Sequence, residues 1–147
     1  MKDVVILGVG LHPWGKFPEK PWTQMAMEAV KEALGDAGVE WNDLKTVISG
    51  SQLWGGRKGI YSGTYLADVM GMTGIPIVNV NNACATAGAM MGVAAMAVAS
   101  GSAELVLAVG ADKSAKGFFP FLPVYHEEPI PSDDTIRWQM GLPNPIY

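Results

Sequence analysis

From residue 83 to residue 103 the chain carries no charged side chain. An uncharged stretch of that length has two possible surroundings, a protein interior or the hydrocarbon of a bilayer. Its composition separates them. Ala, Gly, Ser and Thr dominate it, while Leu, Ile and Phe are scarce, and such residues insert weakly into lipid. The reading is therefore a helix over 84–100, buried inside a protein. A helix of that kind needs other layers around it, and the rest of the sequence provides them. Val4-Val5-Ile6-Leu7 is a continuous, β-branched apolar run, which reads as a strand buried on both faces. Residues 45–49, 77–81 and 104–109 read as three more strands, with Pro76 at a tolerated strand start. Between a Thr23 N-cap and a Gly38 stop, Ala26, Ala29, Val30, Ala33, Leu34 and Ala37 recur at helical spacing. Residues 62–70 can form a further helix, after a Gly-rich loop over 54–63. Strands alternating with helices imply an α/β layered domain with a mostly parallel sheet.

The chain has 147 residues, a net charge of -4, 49% hydrophobic and 16% charged residues. That balance excludes an intrinsically disordered chain. A chain of this size buries roughly 68–70% of its extended surface, enough for one core. No Lys/Arg cluster is present to meet phosphates, which argues against nucleic acid and anionic membranes as partners. The single cysteine excludes an intrachain disulfide framework and an all-Cys zinc site. A lone thiol fits a reducing compartment, and the expected location is the cytoplasm, since the run after Met1-Lys2-Asp3 is too short for a signal segment. Beyond Lys113 the character changes: Pro120, Pro123, Pro129, Pro131, Pro143 and Pro145 make up six of the 10 prolines. The expected organisation is a domain over 1–113 and, over 114–147, a surface excursion or the start of another region.

Gly8-Val9-Gly10 follows the first apolar run as a dinucleotide fingerprint would. The third Gly is missing, because Pro13 stands there, and Ser49-Gly50-Ser51 replaces the acidic residue that would hold a ribose. Those glycines read as part of a loop leaving a strand. Cys84 is more informative. It follows the 77–81 strand across a two-residue turn and opens the uncharged helix. Unpaired N–H groups and the positive end of a helix dipole favour a thiolate there. A strand-to-helix turn also places the sulfur at the carboxyl end of a parallel sheet, where ligands bind in such folds. Nearby N–H groups could stabilise an oxyanion formed when the thiolate attacks a carbonyl. The competing reading is a small buried hydrophobe. His12 reads as a loop residue. His126 beside Glu127 and Glu128 lacks supporting His or Cys ligands, so no metal site is expected. Met25, Met27, Met70, Met72, Met90, Met91 and Met96 read as core filler. Trp54, Tyr61 and Tyr65 flank the Gly-rich loop and would line an acyl or aryl pocket or a subunit interface. Arg57 and Lys58 are candidates for a phosphate contact but are not assigned one.

The segment Val80-Asn81-Asn82-Ala83-Cys84-Ala85-Thr86-Ala87-Gly88, with Ser100-Gly101-Ser102-Ala103-Glu104-Leu105-Val106-Leu107-Ala108-Val109-Gly110-Ala111-Asp112-Lys113 after the Ala-rich helix, resembles the nucleophile segment of thiolases. It is most similar to their lipid-transfer (sterol-carrier-type) branch. The first strand with its loop and the Ala37-Gly38-Val39 helix ending resemble the start of that family, and Arg137-Trp138-Gln139-Met140-Gly141-Leu142-Pro143 resembles the lipid-transfer branch. The resemblance implies a thiolase-like layered fold: one βαβαβαββ half with a buried central helix, residues 114–147 beginning the inserted loop region. It implies that Cys84 accepts an acyl group from a 3-ketoacyl-CoA, with coenzyme A as co-substrate and no bound cofactor. Relatives usually have Gly three residues after the Cys, where this chain has Ala87 and then Gly88, so packing near the turn is expected to differ. The family's Gly-His-Pro loop and second Cys belong to a C-terminal half that this chain does not contain; Leu11-His12-Pro13 lacks the preceding Gly and follows the first strand. The chain is read as a piece of a longer polypeptide, with a subunit completed by another chain as the alternative. Further implied partners are a second copy in a homodimer and a small zinc-ribbon/OB-domain protein, and implied substrates include bulky or aromatic acyl groups of arylsuccinyl type. Alternatives are a non-catalytic thiolase-like scaffold and a thiolase-fold aldolase or ketoacyl synthase.

Overall fold

Ala26, Val30 and Leu34, one helical turn apart, form the buried stripe of helix α1, Trp22–Ala37. This computed structural model describes residues 3–51 and 61–113. The helix starts earlier than the expected Thr23 cap. Pro21 holds the N-cap position with φ -67°, no side chain caps it, and its carbonyl accepts the N–H groups of Gln24 and Met25. Gly38 ends the helix in the left-handed conformation, φ 67°, which a residue without Cβ adopts at little cost. A 3-10 turn at Trp41–Asp43 leads into strand β1, Thr46–Gly50. Helix α2, Ser62–Met70, and strand β2, Ile77–Val80, follow. A second 3-10 turn, Ala83–Ala85, runs into helix α3, Thr86–Ser100, and the chain returns as strand β3, Val106–Gly110.

The sheet is parallel throughout, in the order β2-β1-β3. Side chains alternate across a strand, so central β1 serves two layers. Val47 joins α1 and α2 in a core with Val30, Leu34, Leu66 and Leu107, and Ser49 meets Ser62 of α2 at 2.8 Å. Ile48 is buried too, and Gly50, facing the same way, lies against Thr86 and Met90 of α3. The layers are α1 and α2, the sheet, and α3. Burial on both faces suits Val47 and Ile48 of β1, and the buried polar Ser49 is satisfied by Ser62.

Two expectations are corrected. Val4-Val5-Ile6-Leu7 is not a strand and not buried: no regular element forms over it, and Val5 and Ile6 are each 70% exposed. β1 and β3 pair directly over their whole length, from Thr46↔Val106 to Gly50↔Gly110, and leave no gap between them for another strand. The segment lies across α1 instead. A Cβ at Gly8 would meet the Ala33 carbonyl and one at Gly10 the Ala29 carbonyl, so the Gly-Val-Gly glycines serve a close backbone approach to a helix. The N–H groups of Val9 and Leu11 donate to the carboxylates of Asp36 and Glu32, both at 2.9 Å.

The second correction concerns α3, which among the described residues is covered on one face. Thr86 and Met90 are buried, while Met91 and Met96 are exposed. Together with its 3-10 turn it is long and apolar enough to cross a membrane, yet its covered face packs on β1 and β3. Of the methionines read as core filler, Met90 fits and Met72, Met91 and Met96 do not. The rest of the 54–63 loop and all of 114–147 lie outside the described residues, apart from 61–63, where α2 begins.

Candidate active site

The register brings three strand ends level. Gly50 is paired with Val80 on one side and Gly110 on the other. The next residues, Ser51, Asn81 and the 111–112 pair, therefore emerge along one edge. They form a hydrogen-bonded rail. The Asn81 side-chain amide donates to the Ser51 carbonyl at 2.7 Å, and the Ser51 hydroxyl donates to the Asp112 carboxylate at 2.8 Å.

Cys84 sits just beyond this rail, in the 3-10 turn between β2 and α3, with a free and exposed thiol. The reading of Cys84 as a sealed core hydrophobe does not hold. Ala83, immediately before it, has φ 45°, and among the described residues no other non-glycine has a positive φ. That conformation costs an L-residue about 1–2 kcal/mol, so it persists only where the surroundings impose it. Asn81 Oδ1 accepts the Ala83 N–H at 3.3 Å. Thr86 Oγ1 accepts the Asn82 N–H at 2.9 Å and donates to the Ala83 carbonyl at 2.7 Å. The Ala85 N–H donates to the Asn82 carbonyl at 2.9 Å. The N–H groups of Asn82, Ala83 and Ala85 are thus committed to the turn, which removes them from the oxyanion donors that the helix start suggests.

Thr86 is held in turn by the sheet. A Cβ on Gly50 would lie 2.5 Å from Thr86 Cγ2, so the glycine at the end of β1 is what lets the start of α3 come this close. Gly88, by contrast, faces open space among the described residues, so the Ala87-Gly88 order crowds nothing there. The sequence reading named Cys84 but missed Asn81, Ser51, Asp112 and Thr86. Ser51 and Asn81 directly follow strands and Asp112 lies two residues past one, which was a usable signal; Thr86, at the start of α3, carried no such signal.

The remaining candidates fall elsewhere. His12 lies in the loop before α1, as expected: its Nδ1 is 2.8 Å from the Pro13 carbonyl, and its Nε2 is 3.1 Å from Lys20 Nζ and 3.4 Å from Glu28. Lys20 bonds Glu28 at 2.8 Å and holds its carboxyl below the usual carboxylate range, against a smaller opposing effect of burial. Lys113 ties the same loop to the end of β3, donating to the carbonyls of Phe17, Pro18 and Lys20. Tyr65 packs edge-on against Trp22 between α2 and α1, and Tyr61 is exposed. Trp54, Arg57, Lys58 and His126 lie outside the described residues. Among the described residues no cluster of His, Cys, Asp and Glu could hold a metal ion. A cavity of about 570 Å³ lies between residues 3–10, α1, α3 and β3. Cys84 does not line it.

Comparison with known proteins shows the family. Residues 4–116 match the family model described as thiolase, N-terminal domain. Sterol carrier protein 2 of Gallus gallus is 36% identical over 122 residues, covering 79% of this chain and 21% of that protein. An acetyl-CoA acetyltransferase of Methanothermobacter thermautotrophicus is 36% identical over 114 residues, covering 77% of this chain and 30% of that one. The chain thus spans under a third of the length of these relatives. Among solved structures, 3-oxoacyl-[acyl-carrier-protein] synthase III from Aquifex aeolicus superposes with a TM-score of 0.55 at 23% identity, over 63% of this chain and 30% of that chain. That likeness concerns the fold.

Proposed function

Since the chain belongs to the thiolase family through its N-terminal domain, we propose that it supplies the nucleophile of a CoA-dependent acyltransferase, with Cys84 as the acyl acceptor. One observation carries this reading: Cys84 is exposed on a braced, strained turn at the carboxyl ends of in-register parallel strands. The relative named acetyl-CoA acetyltransferase supports the reaction class.

The thiolate attacks the keto carbon of a 3-ketoacyl-CoA. The bond between that carbon and the α-carbon breaks, the acyl group stays on sulfur as a thioester, and the departing acetyl-CoA carbanion takes a proton. The thiol of a second CoA, deprotonated by a base, then displaces the acyl group and frees Cys84. Run backwards, the same steps condense an acyl group with acetyl-CoA. Both directions need an acid and a base, and these residues belong to the remaining C-terminal half. CoA is a co-substrate in this scheme, and no resident cofactor is invoked. The substrate we favour is a 3-ketoacyl-CoA with a bulky or aromatic acyl group of arylsuccinyl type. The assembly we favour is a cytoplasmic homodimer joined through the outer edge of β2, working with a small zinc-ribbon/OB-domain protein.

Alkylation tests the reading. Iodoacetamide at neutral pH labels Cys84 quickly, and CoA thioesters protect it. Slow labelling without protection would instead identify a non-catalytic scaffold.

A further inference from the structure

The geometry points to Thr86 as a positioning residue for the Cys84 thiol, with Asn81 as its second brace. This rests on the reading of Cys84 as acyl acceptor and adds what aims the sulfur.

Three features single out Thr86. Its hydroxyl grips the chain on both sides of the strained residue, through the Asn82 N–H and the Ala83 carbonyl. Its own N–H also donates to the Ala83 carbonyl. Its side chain is buried and seated against Gly50 at the end of β1. The turn is thereby fixed to the sheet through one side chain. Asn81 adds the second brace, from the Ala83 N–H to the Ser51 carbonyl, and Ser51 continues it to Asp112. An exposed thiol on an ordinary loop would sample many directions. This one is carried by a turn whose backbone is held from β1, β2 and β3.

Direction matters more for acyl transfer than for simple alkylation. Cys84 Sγ must reach a thioester carbonyl carbon along a defined line. The new S–C bond forms, the bond from that carbon to the CoA sulfur breaks, and CoA leaves as a thiolate that takes a proton from solvent. Misplacing the attacking atom is expensive for such a step, whereas a small alkylating reagent can approach an exposed sulfur from many sides.

The experiment uses this chain together with the remaining C-terminal half that supplies the acid and base, with acetyl-CoA and iodoacetamide as the two probes. Mass mapping of the Cys84 peptide follows acetylation and alkylation of wild type, Thr86→Val and Thr86→Ser, and a thermal melt of each variant checks folding. Val keeps the shape and removes the hydroxyl, while Ser keeps the hydroxyl. Thr86→Val slows acetylation about tenfold or more, leaves alkylation within about threefold because access is unchanged, and is rescued by Thr86→Ser. Equal acetylation rates in a folded Thr86→Val overturn the positioning role and leave the acyl acceptor standing. A wild-type assembly of this chain with that C-terminal half whose Cys84 alkylates but takes no acetyl group overturns the acyl-acceptor reading, and this inference falls with it. Should Thr86→Val unfold, the exposed Asn81→Ala decides instead: slowed acetylation with little change in alkylation supports the bracing, and an unchanged ratio overturns it.

Discussion

The two ends of the sheet's chemistry are built in opposite ways. At the carboxyl edge, polar side chains following the strands bond one another, and a strained backbone is held in place by Asn81 and Thr86. Beside β3, the apolar segment 3–10 lies against α1 with Val5 and Ile6 exposed and a cavity behind it. The outer face of α3, with Met91 and Met96, is similarly open. The carboxyl edge is complete in its own hydrogen bonds; the β3 side and the outer α3 face expose hydrocarbon that other chain is suited to cover. The two coexist because a few directional hydrogen bonds, some within the turn and some between level strand ends, complete the carboxyl edge, whereas burial needs whole layers.

The sharpest way to break this contrast is at the sulfur. Cys84→Ala is expected to abolish both acylation and alkylation, because no other thiol exists in the chain; intact mass after incubation with either reagent decides it. Next in size is the core behind the site. Leu66 is 1% exposed, and Leu66→Ala should cost about 2–5 kcal/mol, read from urea unfolding. Gly50→Ala tests the edge itself: the new methyl meets Thr86 and Met90, and overpacking of this kind costs about 1–3 kcal/mol. It should also slow acetylation of Cys84, since Thr86 must shift. The open surfaces predict the opposite result. Met96→Ser and Val5→Ser should each change stability by less than about 0.5 kcal/mol. A loss comparable to that of Leu66→Ala at Val5 would mean the segment is buried in solution, and the contrast between the two regions would collapse.

The smallest effect concerns the loop before α1. Glu28 has its folded pKa lowered, chiefly by the Lys20 hydrogen bond. A lowered carboxylate pKa stabilises the fold above the unfolded-state value, and that contribution is lost as pH falls through the folded value. Acid unfolding should therefore lose a slight component in Glu28→Gln, seen by comparing melting temperatures at neutral and acid pH. The pair is solvent-accessible, so salt should mask the difference.

Much of this was legible along the chain. The spacing of Ala26, Val30 and Leu34 marked α1, Gly38 marked its end, and 62–70 marked α2. The strands at 45–49, 77–81 and 104–109 emerged within a residue or two of β1, β2 and β3. Cys84 stood out because a thiol at a strand-to-helix turn is a chemical position as well as a packing one. What failed was pairing. Val4-Val5-Ile6-Leu7 has strand composition, but a strand must pair with an edge, and the close approach of Gly8 and Gly10 to the α1 backbone holds the segment against that helix instead. Likewise, lack of charge in α3 marked a helix suited to burial without saying how many of its faces would be covered.

The sequence by itself determined the alternation of elements, the family motif around Cys84 and the absence of any second thiol, because periodicity, turn residues and composition are local properties. Only the tertiary structure decided that Gly50, Val80 and Gly110 end level, that Asn81, Ser51 and Asp112 join across them, and that Thr86 reaches back to hold Ala83. Those facts depend on strand register and on the distance at which α3 meets the sheet, which contacts between residues far apart in the chain establish.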